Sequence, residues 1–383
     1  VRVVFVLGTT SGGTGRHVLM LTEGLVRRGH QVVVAGPAAV GEAFGFGAAG
    51  ARFAPVAVSD RPHPARDLAA VAAIRRITRE ADVVHAHGLR AGALAALAGL
   101  GRSRRPATRT SATNQAARPA PRTSATKRAA RPALVVTLHN ALTAGGFVGA
   151  VHGVLERIVA RGAGRVLVVS PDLGERMTAL GARDVRPAVV PAPVPRPPSR
   201  AAARVREELG AGDRPVVLTV ARLAQQKGLE FLLDVAAGPW GAREPMFAIA
   251  GEGPLRRELQ ERVKKERLPV RLLGNRDDVP DLLAAADVVF WPSRWEGQPL
   301  SLSEALMAGR PVVATAVGGI PDLLGGAGAL VPYGDVGAAR AAVRAILEEP
   351  GAAERHARAA AERGAALPRD DDAVDAVLRV YNA

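Results

Sequence analysis

The sequence predicts an α/β chain built as two lobes, each a parallel sheet covered by helices on both faces. Three observations carry this. Short apolar runs alternate with segments of helical period along almost the whole chain. Gly-rich turns join them. The alternation breaks once, at Pro191-Ala-Pro193-Val-Pro195-Arg-Pro197-Pro198, where five prolines in eight residues favour an extended connection. At 383 residues the chain is too long for one ordinary core, and 48% apolar residues supply enough for two.

In the first lobe the apolar runs place strands near 1–7, 31–35, 82–86, 133–138 and 165–169. Helices follow near 13–29, 67–80, 89–100, 147–161 and 171–180. Beyond the proline run, strands fall near 215–220, 245–250, 270–273, 287–291 and 311–315, with helices between them. The division expected is 1–193 for the first lobe, 194–199 for the linker, 200–366 for the second lobe, and 367–383 for a C-terminal helix that packs on either. The N-terminal apolar run, Val1 to Leu7, is far short of the ~20 residues of a membrane span and reads as a buried strand.

The net charge of +15 invites a nucleic-acid or anionic-polymer reading, so its distribution matters. Residues 101–133 hold nine basic side chains and no acid, leaving the remainder mildly basic. Within that stretch Arg109 to Pro121 nearly repeats as Arg122 to Ala133, a Pro-, Ala- and Arg-rich tract that cannot bury enough apolar area to order itself. Only 13 aromatic residues argue against base-stacking platforms, so no nucleic-acid partner is expected. The helix near 67–80 sets Leu68, Val71, Ile74 and Ile77 beside Arg75, Arg76 and Arg79, which suggests peripheral contact with an anionic membrane. The absence of cysteine excludes disulfides and thiolate chemistry and favours a reducing cytoplasm, with contact at the membrane's inner face.

Two constellations carry chemistry. The turn Gly8-Thr-Thr-Ser-Gly12-Gly13-Thr14-Gly15-Arg16-His17 lies between the first strand and the first helix, where exposed N–H groups and the helix dipole stabilise phosphate. It is not a Walker A loop, because no Lys precedes Lys127, and neither Tyr333 nor Tyr381 has the Lys four residues on that a short-chain dehydrogenase needs. In the second lobe Arg222 and Lys227 share one strand-to-helix turn, where two cations neutralise a diphosphate leaving group. With only four lysines among 51 basic residues, a Lys at that place suggests that its chemistry matters. Further on, Glu296 falls in a loop after a strand and Glu304 about a turn inside the helix that begins at Leu300. Carboxylates accept sugar hydroxyls, and the helix start between these two receives phosphate oxygens.

Taken in order, Gly12-Gly13 leading to Arg16-His17-Val18, Asp82-Val-Val-His85-Ala-His87, Thr137-Leu-His139-Asn140, Arg222 with Lys227, Gly251-Glu-Gly-Pro254, Glu296 with Glu304, and Val317-Gly-Gly-Ile-Pro321 resemble the retaining glycosyltransferases of family 4. The likeness covers nearly the whole chain outside the basic tract. It implies the GT-B fold, two Rossmann-like lobes facing a cleft, and transfer of a hexose-type sugar from a nucleotide-sugar donor to an acceptor, lipid-linked or small and polar. It implies Gly13, Arg222, Lys227 and Leu300 on the donor diphosphate, Glu296 on the sugar, Glu304 on the ribose, and His139 near the reaction centre. His85 and His87 are left structural or acceptor-side. Gln298-Pro299 and Pro191-Ala-Pro193 depart from the family's frequent residues; the first bears on sugar choice, the second on hinge stiffness. No cofactor and no metal are expected, since Asp370-Asp371-Asp372 follows no apolar strand and reads as a solvated cap. The rival readings are a nucleotide-sugar epimerase on the same fold and a basic polymer binder.

Overall fold

A computed structural model of the chain describes residues 1–10, 12–59, 63–99, 132–140, 146–241 and 243–383. Most of the basic tract at 101–133 lies outside the described residues. Seven parallel strands form the first sheet: β1 (Arg2–Leu7), β2 (Gln31–Gly36), β3 (Arg52–Pro55), β4 (Val83–His87), β5 (Ala133–Leu138), β6 (Arg165–Val168) and β7 (Val185–Pro187). They stand in the order β3-β2-β1-β4-β5-β6-β7. The second sheet has six, β8 (Val216–Val220), β9 (Met246–Ala250), β10 (Val270–Gly274), β11 (Val288–Trp291), β12 (Val312–Thr315) and β13 (Ala329–Val331), in the order β10-β9-β8-β11-β12-β13.

The central strands are buried on both faces, as a parallel sheet sandwiched by helices requires, and apart from His85 and His87 of β4 and Thr219 of β8, strands β1, β4, β8 and β9 are built from apolar residues after the first position of β1. In each sheet the order reverses beside the first strand of the lobe, between β1 and β4 and between β8 and β11. Open parallel sheets bind ligands at such a reversal, outside the carboxyl ends of the strands. Both motif-bearing turns read from the sequence issue from these four strands.

The edge strands β3, β7 and β13 were not predicted. Each is three or four residues long, carries exposed or half-buried positions, and pairs on one side only, so it lacks the continuous apolar run that marks a central strand. The helices Val336–Glu348 and Ala352–Ala365, which follow the last predicted strand, were also missed. The latter buries little beyond Ala352, Ala360 and Gly364.

Two segments cross between the lobes. The proline-rich stretch runs out without helix or strand and is caught at its far end by Asp281, which accepts from Ser199 Oγ at 3.0 Å and from Arg200 Nε at 2.9 Å. The chain returns through Leu367 and Pro368, and the N–H of Ala192 donates to the Pro368 carbonyl at 2.9 Å. The crossings therefore lie side by side. We propose 1–193, 194–199, 200–366 and 367–383 as the functional division, with these crossings as its hinge.

The C-terminal helix (Asp370–Asn382), which the sequence left free to join either lobe, packs on the first lobe. Ala373, Val374, Val377, Val380 and Tyr381 join the first core, and the helix lies against the first helix (Gly13–Arg27). Asp370, Asp371 and Asp372 form its first turn, with the Asp372 carboxylate accepting from the Arg369 N–H at 2.8 Å and Asp371 paired with Arg28. The helix Pro64–Ile77 also packs inward: Ala70 and Ile74 are buried, Val71 and Ile77 rest on the core, and Leu68 is left out at 71% exposure. Most of its apolar stripe is thus spent on the first core, with Leu68 left outside. Among the described residues no helix is long and apolar enough to cross one.

Where the first and last helices meet, a Cβ on Gly24 would overlap Val374 Cγ2. Gly24→Ala is expected to lower stability by about 1–3 kcal/mol through overpacking, although Ala gains about 1 kcal/mol in helix propensity. Val374→Ala should restore most of that loss in the double variant. Urea unfolding of the four-member cycle measures it, and additive effects would contradict the contact.

Candidate active site

The second-lobe half of the site hangs on the turns after β8 and β11. After β8 the chain passes Arg222, makes a short 3₁₀ turn at Gln225–Lys227, and enters the helix Leu229–Ala236 through Gly228. Gly228 has φ +60°, and a Cβ there would overlap the Pro292 carbonyl oxygen, so the two turns lie in direct contact. On the far side Gly318, at φ +54°, passes just as closely over the Glu296 carbonyl. The Glu296 loop is thereby pinned from both flanks by backbone that admits no side chain.

Inside that clamp Glu296 is 5% exposed. Its Oε1 accepts from Ser293 Oγ at 2.8 Å and from Lys227 Nζ, with which it forms an ion pair. A carboxylate this buried is tolerated only with such partners. Arg222 is exposed at the start of its turn and has no side-chain partner among the described residues. The helix Leu300–Met307 opens directly after the loop with no side chain capping it, and its start faces that of the first helix: a Cβ on Gly13 would lie 3.9 Å from Leu300 Cδ1. Two helix N-termini, one from each lobe, therefore converge, and Ser301 Oγ at the second donates at 3.4 Å to the Val220 carbonyl, where the turn bearing Arg222 and Lys227 leaves β8, an arrangement suited to an anion.

Glu304, about a turn into that helix, is half-buried. Burial raises its carboxyl pKa above the ordinary value, while Arg196 of the linker and Arg16 of the first helix pull it partly back. It borders a cavity of about 390 Å³ walled by Val194, Arg196, Val279, Leu283 and Met307.

The first-lobe half is a cluster of four histidines. His85 and His87 alternate with Ala86 at the end of β4, His139 follows β5, and His17 lies one turn into the first helix. His85 is spoken for on both nitrogens, by Tyr381 Oη and Thr137 Oγ1, each at 2.7 Å. His87 Nδ1 lies 3.0 Å from His139 Nε2. His17 packs edge-on to both His87 and His139. Burial holds His17 down at about 4 and His139, with help from its neighbour His17, at about 3. It keeps His85 and His87 well below the ordinary value too. All four are neutral at physiological pH.

The halves meet at Gly297 and Trp295. A Cβ on Gly297 would stand 2.5 Å from Val169 Cγ2 and 3.3 Å from the His139 carbonyl oxygen, so His139 and Glu296 are close neighbours across the cleft. Trp295 leaves the second lobe and buries its indole in the first core, donating from Nε1 to Asp172 at 2.7 Å. The structure thus brings together Lys227 and Glu296, Gly13 and Leu300, and His139 with the Glu296 loop. Glu304 stands apart, toward the linker. Sequence reasoning missed the Trp295 wedge, Ser293, and the joining of His17 to the histidine pair; a Trp beside Glu296, in a chain with only three tryptophans, was the available signal.

Fold and site together define a two-lobed α/β protein whose facing halves are parallel sheets with their motif-bearing turns at the strand-order reversals. Residues 12–193 match the glycosyl transferase 4-like domain, and residues 214–349 match the glycosyl transferases group 1 domain. The chain belongs to the family 4, group 1 glycosyltransferases, with the GT-B fold. Among curated relatives it is 32% identical over 186 residues to alpha-D-kanosaminyltransferase of Streptomyces kanamyceticus, covering 47% of this chain and 48% of that one. It is 39% identical over 166 residues to 2-deoxystreptamine N-acetyl-D-glucosaminyltransferase of Streptomyces fradiae, covering 40% and 38%. The chain thus matches about half or less of these relatives' length. Anabaena HepE in complex with UDP shares the fold over 100% of both chains, with a TM-score of 0.75 at 20% identity.

The histidine cluster makes stability depend on pH. Unfolded, each imidazole takes a proton near pH 6.5; folded, His17 and His139 resist until about 4 and 3. The unfolded state therefore binds more protons between those values, and stability should be full above pH 6.5 and fall steadily toward pH 4. Urea midpoints from pH 8 to 4.5 test this, and a His17→Asn, His139→Asn variant should show a shallower decline. An equal slope in both proteins would count against the cluster as its source.

Proposed function

We propose that the protein transfers a hexose-type sugar from a nucleoside diphosphate sugar to an acceptor, with retention of the anomeric configuration. The observation that carries this is the convergence of two helix starts on Arg222 and Lys227, with the buried Glu296 beside them and neutral His139 across the cleft. A nucleotide sugar answers every group there. Its diphosphate takes the cations and the N–H groups at Gly13 and Leu300; its sugar hydroxyls donate to Glu296 while its ribose hydroxyls donate to Glu304. Lys227 and Glu296 then exchange one another for a phosphate and a sugar, so neither is left buried and unpaired.

As the glycosidic bond breaks, negative charge gathers on the leaving diphosphate, where these cations and dipoles stabilise it without a divalent ion. Attack from the same face as departure retains configuration and needs no protein nucleophile. Relatives named for transfer to 2-deoxystreptamine suggest a small polyhydroxylated acceptor, bound by the first lobe near the histidines. HepE, solved with UDP-glucose, makes UDP-glucose the first donor to test.

Calorimetric titration with UDP-, GDP-, ADP- and dTDP-sugars should identify one preferred base, with binding and donor turnover unaffected by EDTA. Arg222→Ala and Glu296→Ala should each weaken that binding by about 10- to 100-fold, the worth of a charge-assisted hydrogen bond. Binding to none of them would overturn the reading. Because ribose favours the Glu304 carboxylate, binding should be coupled to proton release where the free carboxyl is protonated, and should weaken as pH falls through that group's raised pKa. Titration in buffers of different ionisation enthalpy measures the release, which Glu304→Gln should abolish.

A further inference from the structure

We infer that His87 is a positioning residue that fixes His139 in its Nδ1–H tautomer, so that His139 meets the substrate as a hydrogen-bond donor and takes no proton from it. The inference rests on the placing of His139 at the reacting centre in the function proposed above.

The geometry leaves two arrangements. His139 Nε2 and His87 Nδ1, 3.0 Å apart, share one proton, and with both rings neutral one nitrogen donates while the other accepts. If His139 were the donor, His87 would carry its own hydrogen on Nε2. Among the described residues that nitrogen is buried without a partner, and an orphaned N–H is among the rarest defects of a protein interior. If His87 donates, its Nε2 is a bare lone pair and no donor is stranded. His139 is then protonated on Nδ1, the nitrogen not committed to His87.

The ring of His87 is held in place for this. His85 packs on it at 4.2 Å between centroids and is itself fixed by Tyr381 and Thr137, while Phe5 closes another side at 5.4 Å. The His139 ring lies within 20° of parallel to that of His87. No carboxylate is recorded in contact with any of the four histidines among the described residues, so nothing in the cluster supports an imidazolium. A base held near 3 is poorly matched to proton abstraction at neutral pH, whereas a neutral imidazole N–H donates well to a sugar oxygen.

The test is two-bond ¹H–¹⁵N correlation spectroscopy of the full chain labelled with ¹⁵N-histidine at neutral pH, with His139→Ala and His87→Phe used for assignment. The expected result is a pyrrole-type Nδ1 and a pyridine-type Nε2 on His139, and a pyrrole-type Nδ1 on His87. A pyrrole-type Nε2 on His139 overturns the inference, and that spectrum needs no variant to fold. In His87→Phe the two His139 nitrogens should move toward averaged shifts, and turnover of the donor selected by the binding screen, followed by nucleotide release, should fall about 10- to 100-fold in kcat with little change in KM. His87→Asn, whose amide can donate from the same place, should recover most of the loss. If the tautomer is as stated but His139→Ala turns over the donor normally, the role of His139 in the proposed function fails while the assignment stands. If turnover requires His139 and the tautomer is reversed, the present inference fails and that function stands.

Discussion

Glu296 is a buried carboxylate paired with Lys227, and much of the cleft is arranged around that pairing. Burying a carboxylate without partners is prohibitive. Lys227 and Ser293 supply the partners, and they reach it only because the turns after β8 and β11 touch. That contact in turn demands backbone without a side chain at Gly228, and the close passage of the turn after β12 on the other flank demands the same of Gly318. The neighbouring Trp295 carries the same loop into the other lobe, so the geometry around Glu296 is fixed by residues from both halves of the chain.

This explains which parts were legible in the sequence. The central strands announce themselves because a parallel strand covered on both faces must be a continuous apolar run, and Val3 to Leu7 or Val216 to Val220 can hardly be read otherwise. The switch-point motifs follow, since a Gly-rich turn after β1 and a Lys in an Arg-rich chain after β8 are local signals. Edge strands such as Ala329–Val331 borrow their identity from a neighbour and leave little trace. The bond from Trp295 to Asp172 joins residues 123 apart, and the histidine cluster gathers residues from three elements; neither has a spacing to betray it. The C-terminal helix was recognisable as a helix, but its choice of lobe depended on Gly24 offering a groove for Val374, a fact about surfaces.

The two lobes divide the electrostatic work. On the second, charge is explicit: Arg222, Lys227, Glu296 and Glu304. On the first, the uncharged imidazoles and the start of a helix stand beside Asp172, which holds Trp295, and Arg16, which acts on Glu304. Formal charge is thus concentrated on the second lobe, while the histidines of the first contribute oriented dipoles.

The paired crossings set how such a cleft can move. A single strand between two bodies is a swivel: it permits bending in any direction and twisting about its own length. Two connecting segments side by side, tied by the Ala192 to Pro368 hydrogen bond and seated at one end on Asp281, restrain twisting more than either would alone. The facing of Gly13 and Leu300 therefore rests on the path of the chain between the lobes as well as on the contact itself.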